Sequence, residues 1–146
     1  MAVFSRHVTV NWTGSIMEGA GELKAGSGAF SLPISFPRRV GEPEGSTSPE
    51  ELIAAAHAAC FAMALNGTVG RKGGAIAKTH VTCTVLAEKG EAGITITTSK
   101  LSVVAEGLTG MDAHAFPGVA KEAEGRCPVS NALRGSLAIE LNASVK

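Results

Sequence analysis

The sequence predicts an α+β fold in which short strands gather around one long helix. Three observations predict it. Apolar and polar residues alternate in several short runs, the pattern of half-buried strands. Gly-containing turns join those runs, so the pairing is expected to be mostly antiparallel. Between them lies TSPEELIAAAHAACFAMAL, from Thr47 to Leu65, a helix-start signal followed by a nearly uninterrupted apolar stretch.

Residues 3–13 alternate, with Val8, Val10 and Trp12 on one face and Thr9 and Asn11 on the other, as a half-buried strand would. Gly14 and Ser15 turn the chain. Residues 16–25 return as a second strand, weakened or bulged at Gly19 and Gly21. Phe30 to Phe36 reads as a third strand with Phe30, Leu32, Ile34 and Phe36 on one face, and Pro33 places it at an edge. Residues 37–48, PRRVGEPEGSTS, read as a loop of Pro, Gly and charge, and loops of that length in compact domains are often functional.

The long helix is expected from about Pro49 to Val69. Ser48 caps it, Pro49 suits its first position, and Glu51 sits three residues after the cap, as in a capping box. Gly70 to Gly74 ends it. Residues 79–88, THVTCTVLAE, form a strand with Val81, Cys83 and Val85 facing one way; KGEAG turns the chain, and residues 93–105 make the partner strand. Asp112 is expected to cap a second helix running to about Glu124, with Met111, Ala115 and Val119 as part of its apolar stripe. CPVSNALRG then reads as a short helix with Cys127 at the N-cap and Pro128 at the first position. Residues 136–145 close the chain as a strand, with Leu137, Ile139, Leu141 and Ala143 on one face.

Composition excludes several functions. The chain has 146 residues, enough for one domain with a real core, and its 13 basic and 13 acidic residues cancel. There is no basic footprint for nucleic acid and no polybasic run for an anionic membrane. The start, MAVFSRHVTVNW, lacks the apolar core of a signal peptide. Leu52 to Gly70 carries no formal charge, but its alanines, with His57, Asn66, Gly67 and Thr68, favour lipid insertion too weakly, so it reads as a buried core helix. A cytoplasmic protein without nucleic-acid or membrane partners is expected, and its odd number of cysteines is no disulfide framework.

Those cysteines carry the candidate chemistry. Cys83, on a strand face between valines, reads as a small buried hydrophobe. Cys60 lies mid-helix, where the dipole gives a thiolate nothing, so it would need a charged neighbour; His57 is one turn before it on the same face, a position held more often by a hydrogen-bonded core histidine than by a base or ligand. Cys127 at a helix N-cap, beside Arg126, meets free N–H groups and positive charge, which favour thiolate. A zinc site built from Cys60, Cys127 and His57 lacks the usual ligand spacings.

Two stretches, SPEELIAAAHAACFAMAL and RCPVSNAL, resemble the two signature regions of the OsmC/Ohr family, the osmotically inducible and organic hydroperoxide resistance proteins. His57 and the CPVS after the helix point to the OsmC branch. The resemblance covers nearly the whole chain, from the WTG strand through the RRVGEPEG loop and the TCTV hairpin to the last strand. It implies a single OsmC-like domain over residues 1–146, with antiparallel sheets wrapped around a long buried central helix in an intertwined homodimer whose active sites lie at the subunit interface.

It also implies a thiol-dependent peroxidase that reduces organic hydroperoxides, and more weakly hydrogen peroxide, to alcohols. Cys60 takes the part of the attacking thiolate that becomes a sulfenic acid. Cys127 resolves it to a Cys60–Cys127 disulfide, which a dithiol of the lipoyl type recycles. The family's loop arginine corresponds to Arg39, with Arg38 beside it as the alternative, and its helix-start glutamate to Glu50. A guanidinium would lower the thiol's pKa, and Glu50 would hold it in a bidentate contact. Phe36, Phe61 and Met63 are candidate apolar walls for the organic tail, with His57 also assigned to the pocket. No metal or other cofactor is implied. The rival readings are a non-catalytic module of the same fold that binds a small apolar ligand or senses oxidants, and a metal-binding protein.

Overall fold

The computed structural model describes residues 1–146, which divide into two compact units, Met1–Leu52 and Ile53–Lys146. The division falls inside the long helix.

In the first unit, β1 (Val8–Thr13), β2 (Ala20–Ala25) and β3 (Ser31–Ile34) form an antiparallel sheet in chain order, with Val10 opposite Leu23 and Leu23 opposite Leu32. Leu23 is the one buried apolar side chain of this sheet. β1 departs from the half-buried strand expected: all six of its residues are exposed, Val8 and Val10 each at 52% and Trp12 at 39%. The segment expected as a loop after β3 begins with a short helix, α1 (Phe36–Val40). Ser35 caps it by accepting from the Arg38 amide, and Pro37 sits in its first turn, where a missing N–H costs nothing. Phe36 therefore starts a helix rather than ending a strand.

The helix α2 (Pro49–Arg71) begins where the sequence indicates. The Ser48 hydroxyl accepts from the Glu51 amide at 3.1 Å. The second half of the capping box is replaced: the Glu51 carboxylate accepts from the Thr47 hydroxyl at 2.7 Å, and the Thr47 amide bonds to Pro33 of β3. By length and composition α2 could cross a membrane, but its inner stripe is that of a core helix. His57, Phe61, Leu65, Thr68 and Val69 are buried, while Ala55, Ala56, Ala59 and Met63 on the other side are exposed.

In the second unit, β4 (Ala75–Gly90) and β5 (Gly93–Thr109) form a long antiparallel hairpin, and β6 (Ala138–Val145) adds to β5 in parallel, with Leu101 opposite Leu141. That last pairing departs from the antiparallel expectation. A parallel neighbour needs a crossover, which α3 (Phe116–Arg126) and α4 (Pro128–Leu133) supply. Asp112 does cap, but it caps a 3-10 turn, Ala113–Ala115; Pro117 then starts α3 at Phe116, three residues later than expected. The core gathers Phe61, Leu65 and Val69 of α2, Leu101, Val103 and Ala105 of β5, and Phe116, Ala120, Ala123 and Cys127 of the crossover.

Candidate active site

Two constellations stand where the sequence places chemistry, one in each unit. In the first, α1 turns its two arginines to different partners. Arg38 reaches Glu44 at 2.6 Å near the surface. Arg39 grips Glu50 in the first turn of α2: its Nε donates to Oε1 and Oε2 at 3.0 and 3.1 Å, and its Nη2 donates to Oε1 at 2.6 Å. The pair is largely shielded, with 28% of the Arg39 and 15% of the Glu50 side-chain surface exposed. The guanidinium holds the Glu50 carboxyl below its ordinary range, and the carboxylate raises Arg39 in turn. Beside this pair lies a cavity of about 110 Å³ lined by Trp12, Ile16, Ile34 and Phe36, with Arg39 at its polar edge.

The second constellation is buried and carries almost no charge. Cys60, at the middle of α2, packs against the core cluster that contains Cys127, at the N-cap of α4, and both Cys127 and the Val129 amide bear on the ionisation of its thiol. All three cysteines are free thiols. Burial pushes the Cys60 thiol up, against the pull of the Val129 amide, and Cys127 raises it further. This direction is opposite to the lowered pKa expected from the sequence, because the groups that act on Cys60 within its unit include no cation. Cys127 accepts from the Ser130 amide at 3.4 Å, as its N-cap position demands. Arg126, expected beside it as a source of positive charge, turns instead to Glu122 at 3.4 Å.

His57 lies one turn before Cys60 and is fully buried. Its Nδ1 meets the Ser99 hydroxyl of β5 at 2.6 Å and its Nε2 meets the Ser130 hydroxyl of α4 at 2.7 Å. Ser99 also contacts the Cys83 thiol at 3.2 Å. Burial lowers the His57 pKa, and the positive Arg134 lowers it too, against the opposing pull of Glu124. The ring is therefore neutral, with one nitrogen donating and the other accepting. Both of its nitrogens are engaged by these serines.

The remaining proposed wall residues separate. Phe36 lines the cavity beside Arg39. Phe61 is fully buried in the core and Met63 is 76% exposed. Two helical steps of about 100° put those two side chains on opposite sides of α2, so they cannot wall one pocket within this chain. Cys83 is half-buried against the core, as a small hydrophobe would be, but it also joins the serine-histidine group. No cluster of three or more His, Cys, Asp or Glu side chains with metal-binding geometry exists.

Residues 41–142 match the family model described as OsmC-like protein. The peroxiredoxin OsmC of Escherichia coli K12 is 38% identical over 132 residues, covering 89% of this chain and 90% of that protein. This chain belongs to the OsmC family. The organic hydroperoxide resistance protein OhrA of Bacillus subtilis is 33% identical over 129 residues, covering 83% of this chain and 85% of its own length. Among solved structures, the organic hydroperoxide resistance protein OhrB of Bacillus subtilis superposes with a TM-score of 0.76 at 26% identity, covering 98% of this chain and all of that one. The family fold thus extends over both units, each with its own sheet and its own candidate constellation.

Sequence reasoning missed Ser99 and Ser130. Ser99 had a readable signal, since it shares the period-two face of β5 with Leu101, Val103 and Ala105, all buried. A serine on such a face needs a partner. Ser130 had a weaker one, three residues after the capping Cys127.

Proposed function

We propose that this protein is a Cys-based peroxidase that reduces organic hydroperoxides, and hydrogen peroxide more weakly, to alcohols. The observation that carries the reading is that partly buried Cys60 packs against the core cluster holding buried Cys127, with both as free thiols. Membership of a family whose relatives are named for peroxiredoxin activity and hydroperoxide resistance supports it.

The cycle has three steps. The Cys60 thiolate attacks one peroxide oxygen; the O–O bond breaks, the thiolate becomes a sulfenic acid, and the departing oxygen takes a proton and leaves as the alcohol. The Cys127 thiol then attacks the sulfenic sulfur, forming a disulfide and releasing water. A small dithiol of the lipoyl type reduces that disulfide by two thiol exchanges and is itself oxidised. Burial alone works against the first step, because it raises the Cys60 thiol. Arg39 is assigned the compensating charge: it favours the thiolate and stabilises the oxygen that leaves. Glu50 fixes the direction of that guanidinium. The Phe36 cavity gives the organic tail an apolar seat, and no cofactor is needed.

We further propose that residues 1–146 work as one OsmC-like domain in an intertwined cytoplasmic homodimer. The exposed Ala55, Ala56, Ala59 and Met63 of α2, together with Val8, Val10 and Trp12 of β1, are the surfaces a second copy would cover. Three free thiols suit a reducing compartment. Sedimentation at micromolar protein should give a dimer; a stable monomer refutes the assembly.

The deciding experiment is peroxide consumption with dihydrolipoamide, comparing an organic hydroperoxide with hydrogen peroxide and wild type with Cys60→Ser. Turnover that requires Cys60 and favours the organic substrate is expected. No turnover by fully reduced protein would sink the peroxidase reading and favour a non-catalytic ligand-binding module.

A further inference from the structure

Three segments distant in sequence meet at one imidazole. His57 comes from α2, Ser99 from β5 and Ser130 from α4, and both nitrogens are engaged at 2.6 and 2.7 Å in a fully buried setting. Ser130 is bound twice over, since its hydroxyl meets His57 while its amide donates to the sulfur of Cys127. His57 lies three residues before Cys60, so one side of α2 carries both a cysteine and the anchor for the segment that presents the other cysteine. That segment is a six-residue helix, too short to hold its place by its own hydrogen bonds. Further out it is tied by Arg134 to Glu124 at 2.9 Å and by Asn131 to the Gly125 carbonyl at 3.1 Å, both exposed bonds. The bond to His57 is the buried one that reaches α2.

We infer that His57 is a positioning residue for disulfide closure, acting through Ser130 to hold Cys127 against Cys60. This rests on the proposed peroxidase cycle for its use, but not for its geometry. It touches neither peroxide nor the reacting sulfurs. The chemistry of the ring singles out one half of the bridge. Nε2 serves Ser130 and hence Cys127, whereas Nδ1 serves Ser99 and Cys83 on the sheet. A glutamine can place its terminal amide near the position of Nε2, and an asparagine can reach only as far as Nδ1.

The test is the equilibrium between the Cys60–Cys127 dithiol and its disulfide in glutathione redox buffers, measured on the full chain with Cys83→Ser as background. It needs no peroxide. His57→Asn and Ser130→Ala should lower the effective concentration of the pair about tenfold or more, as expected when one reacting group loses its placement, while His57→Gln stays within about twofold of the background. If His57→Asn does not fold, Ser130→Ala, which deletes one oxygen, carries the test. Equal effects of Gln and Asn, or an unmoved equilibrium in Ser130→Ala whatever its melting temperature, would reduce the bridge to an ordinary core contact and overturn the inference. A chain that closes its disulfide in glutathione but consumes no peroxide would refute the peroxidase proposal and leave this one standing.

Discussion

The Arg39–Glu50 pair and the His57 bridge each hold side chains in place, and they do so by opposite means. The first uses full charges at the rim of its unit, joined over 11 residues of sequence, and keeps some contact with water. The second uses neutral hydroxyls and an imidazole in the core, joined over 42 and 73 residues. The difference follows from desolvation. A bidentate ion pair survives partial burial because each charge satisfies the other, whereas an isolated imidazolium in the core would not. Charge thus sits at the rim of its unit, where the proposed cycle uses a cation, and neutral hydrogen bonds sit in the core, where the inferred role of His57 is one of position.

The sharpest way to break this division is at the thiols. Cys127→Ser should abolish multiple turnover while allowing one oxidation of Cys60, after which mass spectrometry should find sulfinic acid accumulating with excess peroxide. Sustained turnover by that variant with a dithiol would show that closure onto Cys127 is dispensable. Next in size, Arg39→Ala should slow the first oxidation of Cys60 about 100-fold, the range for removing one group that stabilises a developing oxyanion. Arg38→Ala, whose side chain is spent on Glu44, should change it by less than about twofold. If the two results are reversed, the activating charge is Arg38. Glu50→Gln should fall between them, at about tenfold, because the guanidinium stays but loses its bidentate partner.

Stability against acid distinguishes the two constellations more gently. The His57 pKa is depressed from its ordinary 6.5, so the unfolded chain takes up that proton first, and stability falls as the pH drops below about 6.5 towards the folded value. Glu50 is depressed from 4.5, so the pair's contribution is present above that pH and is lost as pH falls through the folded value below it. Melting temperatures from pH 8 to 3 should therefore decline in two stages, with His57→Gln flattening the upper stage and Glu50→Gln the lower. A wild-type curve that is flat between pH 6.5 and 5 would contradict a neutral buried His57.

What the sequence revealed and what it hid follow the same divide between local and distant contacts. α2 was readable from Ser48, Pro49 and its apolar run, and the β4–β5 hairpin from alternation on either side of a turn. Cys127 at an N-cap was readable because Pro128 follows it. α1 was hidden by its Pro and charges, although Ser35 and Pro37 carry a legitimate start signal. The parallel partnership of β5 with β6 was hidden because alternation says which face is buried and nothing about which neighbour is paired or in which direction. For the site, the Arg39–Glu50 contact was anticipated through the family resemblance, which assigns both residues. The partners of His57 were not, since no local pattern links positions 57, 99 and 130.

The crossover that carries α3 and α4 also dictates an order of assembly. As the chain emerges from the ribosome, α2, β4 and β5 are complete before any of the crossover exists, and His57 can find Ser99 while Ser130 has yet to be made. Its second nitrogen must stay accessible to water until α4 arrives, so this part of the core remains open until Pro128–Leu133 is synthesised. β6 can then close alongside β5, because its parallel alignment requires the whole crossover first. A nascent chain halted before Cys127 would thus carry Cys60 with no second thiol to resolve its oxidation, so irreversible oxidation of Cys60 is expected to fall on incomplete chains.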